Sequence, residues 1–152
     1  MIIISHRGYE NGPNELLENN PQQIRKILAE NMQVEIDVTY DDGYYLGHDY
    51  KKYKVDLQFL KQDGLWCHAK NFRALENMLA IAALSLMLKN NIHCFWHQQD
   101  DYTITSRGFI WAYPGKPLVP MSVCVLPELK KQDYNMCYAI CTDYPVIYKE
   151  NK

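Results

Sequence analysis

An α/β fold on a parallel sheet is the class that the amino-acid sequence predicts, on three observations. Short apolar runs recur along the chain, and helical patterns separate them in the first half. Histidines and carboxylates collect at the runs' C-terminal ends. In parallel α/β folds, ligands bind outside the carboxyl ends of the strands.

Ile2 to Ile4 is a β-branched run without alternation, as in a strand buried on both faces, and it ends at His6-Arg7-Gly8. Tyr9 to Asn20 is loop-like. Pro21 then opens a helix over Gln22 to Asn31, with Ile24, Ile27 and Leu28 on one face. Val34-Glu35-Ile36-Asp37-Val38 alternates with period two, so its two carboxylates share a face. Asp42-Gly43 signals a hairpin that returns Tyr44 to His48 beside them. Val55 to Gln62 reads as a short helix capped by Asp56, and Leu65 to Lys70 as a strand. Ala74 to Lys89 reads as a long helix, apolar round most of its circumference and therefore covered. Beyond Asn90 the pattern changes to short strands: Ile92 to Trp96, Tyr102 to Thr105, Phe109 to Tyr113, Ser122 to Leu126 and Tyr138 to Cys141. The Lys51-Lys52-Tyr53-Lys54 cluster reads as a solvated loop, and His93 as a surface residue.

The chain has 152 residues, 47% of them hydrophobic and 22% charged, which suits one domain over residues 1–152. A net charge of -2 without a basic stripe argues against a nucleic-acid partner. The apolar start Met1 to Ser5 is too short for a membrane span and carries no basic leader. Five cysteines, most of them in apolar runs, suggest buried thiols in a reducing, cytoplasmic compartment.

His6-Arg7, Glu35-x-Asp37, His48-Asp49, His68-x-Lys70 and His97 each stand at or near the end of an expected strand. Two carboxylates on one strand face beside an imidazole suit a divalent cation, and the added histidines and arginine suit phosphoryl chemistry. His97 with Gln98 and Gln99 suits contacts to sugar or glycerol hydroxyls. Trp96 and Trp111 fit either substrate stacking or packing.

These motifs resemble a known family. Ile4-Ser5-His6-Arg7-Gly8, Glu18-Asn19, Val34 to Val38, Asp42-Gly43 and His48-Asp49 follow the N-terminal signature of the glycerophosphodiester phosphodiesterases in order and spacing. Ala139 to Pro145 resembles the last barrel strand of that family with its Thr-Asp-x-Pro ending, and Phe109-Ile110-Trp111 is a weaker echo of its Trp-containing region. The resemblance implies a TIM-type β/α barrel with its site at the C-terminal face. It makes His6 and His48 the general acid/base pair, and it implies one divalent ion, Mg²⁺ or Ca²⁺, on Glu35 and Asp37. Arg7, Lys70, Glu18, Asn19, His97 and Trp111 are the expected substrate-binding residues, for a small phosphodiester or a phospholipid-derived substrate.

Two departures modify these expectations. His68 stands where the family has a third metal carboxylate; as a ligand it would shift preference toward Mn²⁺ or Zn²⁺. The chain is also far shorter than a typical barrel of about 250 residues. A compressed barrel with few helices in its C-terminal half is therefore expected, with bare apolar strand surface there that would favour a homodimer. The alternative is a catalytically degenerate barrel that binds a phosphorylated ligand without turnover.

Overall fold

A computed structural model of the chain describes residues 1–84 and 91–150. The strands of the first half are β1 (Ile2–Ser5), β2 (Gln33–Tyr40), β3 (Tyr44–Leu46), β4 (Tyr53–Val55) and β5 (Leu65–Ala69). Those of the second half are β6 (Cys94–Trp96), β7 (Tyr102–Ile104), β8 (Ile110–Ala112), β9 (Ser122–Val125) and β10 (Ala139–Thr142). The helices are α1 (Pro21–Ala29), α2 (Leu57–Leu60), α3 (Phe72–Leu84) and α4 (Pro145–Glu150), and a 3₁₀ turn covers His6–Gly8.

Seven strands run parallel in the order β6-β5-β2-β1-β10-β9-β8. The antiparallel hairpin β3-β4 hangs on the end of β2, and β7 is antiparallel to β8. Among the described residues no ladder joins β6 to β7, so the ten-stranded mixed sheet is open there and the pairing is not that of a closed barrel. Ser106, just beyond β7, nevertheless reaches β6: its N–H donates to the Cys94 carbonyl at 2.8 Å, and its hydroxyl accepts from the Cys94 N–H at 3.0 Å.

Strand periodicity sends alternate residues to opposite faces, and each face has its own core. On the convex side Ile3, Val34, Ile36, Cys67, Cys94 and Ile140 pack under the helices. Ile4, Trp66, Phe95, Trp111, Val123 and Ala139 fill the concave side. There the sheet curls until Trp66 of β5 and Phe95 of β6 meet Trp111 of β8, with ring centroids 5.9 Å and 4.5 Å apart. Aromatic pairs of this kind add about 0.5–1.5 kcal/mol beyond the area they bury.

The Asn20 side chain caps α1 by accepting from the Gln22 and Gln23 N–H groups, Pro21 occupies its first turn, and Ile24 and Ile27 are buried beneath it. Two fully buried isoleucines contribute roughly 1.5–3 kcal/mol each. The hairpin at Asp42-Gly43 forms as expected, pairing Tyr40 with Tyr44.

Several expectations are corrected. The helix α2 is one turn long, Leu57–Leu60 capped by Asp56, and Tyr53–Val55, expected as loop and the first helical residue, pairs with β3 as a strand. α3 is covered on one side only: Ala74, Met78 and Ala82 are buried at four-residue spacing, while Phe72, Leu79 and Leu84 are exposed. Positions 85–89 of that expected helix lie outside the described residues. In the second half β9 and β10 are covered, Leu118, Tyr134 and Tyr148 packing on the core that contains Cys124 and Ile140, whereas β7 leaves Tyr102 and Ile104 exposed. His93 is buried rather than at the surface, packed against Trp66 with its ring tilted by 46° and hydrogen-bonded to the Thr105 hydroxyl at 2.8 Å. Burial drives its pKa down to about 3, so it is neutral. All five cysteines are buried free thiols, and no described helix is long and apolar enough to cross a membrane.

Candidate active site

The C-terminal ends of the parallel strands open into a cleft of about 290 Å³. His6, Arg7, Glu35, His48, His68, Lys70, His97 and Trp111, all singled out by the sequence, line it. Trp111 is almost fully buried and mainly packs the concave core.

Glu35 and Asp37 project from the concave face of β2 and are almost wholly buried. Buried carboxylates require charged or donor partners, and these two have several. The Arg7 N–H donates to Glu35 Oε2 at 3.1 Å, while Arg7 Nε lies 3.2 Å from Asp37 Oδ2. Asn19 holds Asp37 twice, its amide N–H donating to Oδ2 at 3.1 Å and its carbonyl accepting the Asp37 N–H at 2.9 Å. Lys70 Nζ stands 3.6 Å from Asp37 Oδ1. Burial would raise the Asp37 carboxyl's pKa, but contact with His68 and the charges of Arg7 and Lys70 hold it well below the usual carboxylate range.

His6 follows β1 directly. Its Nδ1–H donates to the Asp143 carboxylate at 2.6 Å, which leaves Nε2 on the side of Glu35, 3.9 Å from Oε2. Burial alone would lower the His6 pKa, but the Asp143 hydrogen bond and the Glu35 charge outweigh it and the net shift is upward. Glu128 fixes Asp143 in turn, accepting the Asp143 N–H at 2.7 Å and the Thr142 hydroxyl at 3.0 Å.

His68, on β5 opposite Asp37, donates Nε2–H to the His97 carbonyl at 2.7 Å. Its Nδ1 then faces the two carboxylates, 3.4 Å from Glu35 Oε1 and 3.3 Å from Asp37 Oδ1. Burial opposes protonation, yet Asp37 and Glu35 prevail and raise its pKa to about 9. His48 reaches the cleft through the turn after β3. Gly47 there has φ +142°, and a side chain on it would collide with the Tyr50 carbonyl. The His48 Nδ1–H donates to the Asp49 carboxylate at 2.7 Å.

Three non-glycine residues in left-handed backbone conformations surround the cleft: Arg7 (φ 51°), Asn19 (φ 55°) and Leu126 (φ 46°).

Glu18 and Asn19 do not line the cleft. Asn19 is fully buried behind Asp37, and the Glu18 carboxylate takes the Tyr9 hydroxyl at 2.7 Å and stands 3.5 Å from Arg7. Both touch cleft residues, Glu18 through Arg7 and Asn19 through Asp37. Asp143 and Glu128 are functional candidates that were not singled out. The Thr142-Asp143-Tyr144-Pro145 motif carried the signal for the first, whereas nothing local distinguishes Glu128.

The donor set fits a divalent cation. One ligand atom each from Glu35, Asp37 and His68 lies within 4.8 Å of the others, and Asp37 Oδ1 is buried without a well-formed hydrogen bond, His68 Nδ1 and Lys70 Nζ standing 3.3 Å and 3.6 Å from it. An imidazole whose far N–H is fixed by a carbonyl is the usual state of a metal-ligating histidine. No protein-family model, curated protein or solved structure matches the chain.

Proposed function

We propose that the chain is a phosphodiester hydrolase of the glycerophosphodiester phosphodiesterase kind. The observation that carries this reading is the His6–Asp143 pair at 2.6 Å, which aims His6 Nε2 into the cleft that His48 also lines. A proton acceptor fixed by a carboxylate, with a second imidazole across the same cleft, suits displacement at phosphorus. His6 takes the proton of the attacking water or substrate hydroxyl at Nε2, and His48 returns one to the leaving alkoxide. Arg7 and Lys70 face the cleft with positive charge for the phosphate oxygens. Glu35, Asp37 and His68 would hold a divalent ion: Mg²⁺ or Ca²⁺ suits the carboxylates, while Mn²⁺ or Zn²⁺ suits the imidazole. Such an ion supplies charge stabilisation to the phosphoryl group.

The curl of the sheet and the Ser106–Cys94 bonds across its open side support the reading of a compressed TIM-type barrel. A cytoplasmic location rests on the buried free thiols. A homodimer rests on the exposed Ile104, Val119 and Met121 of the second half.

One observation favours a second reading. Arg7, Lys70 and His68 already surround Asp37 with cationic groups, as in a scaffold that binds a phosphorylated ligand without turnover. Substitution separates the two. His6→Ala and His48→Ala should each lower turnover by roughly 10²–10⁴-fold while leaving melting temperature and ligand affinity near wild type. Undiminished turnover in both variants would refute the acid/base assignment.

A further inference from the structure

A second cavity, of about 520 Å³, shares no lining residue with the cleft. The segment that joins β9 to β10 contributes to both. Leu126 and Leu129 line the cleft, whereas Pro127 and Glu128 line the second cavity. The segment is pinned to the end of β10: the Leu126 N–H donates to the Cys141 carbonyl at 2.7 Å, and the Glu128 carboxylate accepts from the Thr142 hydroxyl and the Asp143 N–H.

The second cavity carries charge of both signs. Glu128 and Asp133 bring two carboxylates, and the exposed Lys131 brings one ammonium. Gln132, half-buried in the lining, donates its amide N–H to the Cys124 sulfur at 3.0 Å, which leaves its carbonyl oxygen as a further acceptor. Tyr134 and Tyr148 add two rings whose centroids lie 5.8 Å apart at 68°, both anchored on the core. Burial and the Glu128 charge push the Tyr148 phenol up to about 12, so it stays neutral. Carboxylates, a carbonyl acceptor and aromatic faces together suit an ammonium group. An ammonium alone leaves Lys131 unanswered, and an anion alone meets two carboxylates. A ligand that complements all three charges bears both signs itself.

We propose that this cavity binds a small zwitterion, an ammonium and a carboxylate joined by a short chain, and that its occupancy is felt at Asp143. The ammonium lies against Glu128, the Gln132 carbonyl and the tyrosines, and the carboxylate meets Lys131. An ammonium that shares the Glu128 carboxylate makes it a weaker acceptor for the Asp143 N–H, and Asp143 orients His6. The ligand is thus an effector, not a substrate. Its binding is independent of the phosphodiester reading; only the consequence for turnover rests on that reading.

Titration of the ¹⁵N-labelled full chain at constant ionic strength tests both parts, with glycine, β-alanine and γ-aminobutyrate as zwitterions and with methylammonium and acetate as the separate halves. The best zwitterion should bind at least about tenfold more tightly than either half, because its second contact forms within one molecule. At saturation it should shift the amides of residues 131–135 and move the Asp143 amide proton upfield. Lys131→Gln should remove the advantage over methylammonium, while Lys130→Gln, the same charge change outside the lining, should match wild type. Both lysines are exposed, so neither change disturbs the core. Binding of no zwitterion, equal affinity for a separate half, or equal losses in the two lysine variants would each overturn the site. Saturable binding with the Asp143 amide unmoved would overturn the link to Asp143. Neither readout requires turnover, so the phosphodiester reading stands or falls separately.

Discussion

His68 Nδ1 lies 3.3 Å from Asp37 Oδ1, and the two residues are register partners on adjacent parallel strands. The contact is thus set by the backbone ladder, and it places an imidazole against a carboxylate that burial would otherwise keep protonated. One consequence is a definite pH dependence. The folded-state pKa of His68 is raised from 6.5 to about 9, so its contribution to stability is fully present below pH 6.5 and is lost as pH rises through about 9. Thermal melting in EDTA should fall across that window, and His68→Gln should flatten the fall. A wild-type melting curve unchanged from pH 6.5 to 9 would contradict the charged state.

Metal binding should run against the same proton. Nδ1 must lose its hydrogen to ligate, so Mn²⁺ or Zn²⁺ affinity should increase with pH up to about 9. Glu35→Gln and Asp37→Asn should each weaken it by more than about tenfold in a direct titration. Asp37→Asn should in addition destabilise the fold by roughly 3 kcal/mol, because Arg7, His68 and Lys70 lose a shared counter-charge. Wild-type affinity in both variants would refute the site.

Glu128 touches no cleft group, and its effect should be indirect. Without it the Asp143 N–H and Thr142 hydroxyl lose their acceptor, and Asp143 no longer holds the His6 ring in one orientation. Glu128→Ala should lower kcat more than it raises KM and should move the His6 limb of the pH profile down toward 6.5, the Asp143 bond being a main cause of its upward shift. Glu128→Gln keeps an acceptor and should recover part of the loss. A kcat loss with an unmoved pH profile would make Glu128 merely structural.

The legible parts of the molecule are those written at short range. The alternation of Val34 to Val38 put Glu35 and Asp37 on one face, and Asp42-Gly43 brought the chain back to place His48 at the same cleft. The clustering of histidines at strand ends marked the site because parallel strands share a C-terminal edge. Longer-range features escaped. The sequence reads Tyr53 and Lys54 as loop and Val55 as the start of a helix, since Tyr53-Lys54-Val55 gains its strand state only from pairing with β3. The coverage of α3 was overread, because composition does not say which side meets the sheet. Glu128 is separated from Asp143 by a loop whose course no local pattern encodes, and the open side between β6 and β7 depends on how far the whole sheet curls.

The most direct measurement is phosphorus NMR of a panel of glycerophosphodiesters, lysophospholipids and inositol or sugar phosphodiesters, incubated with the protein and Mg²⁺, Mn²⁺ or Ca²⁺ against an EDTA control. The account predicts a new monoester or cyclic phosphate resonance that disappears with EDTA and with His6→Ala. Spectra unchanged for every compound, with protein shown to be folded and metal-loaded, would contradict the proposed hydrolase.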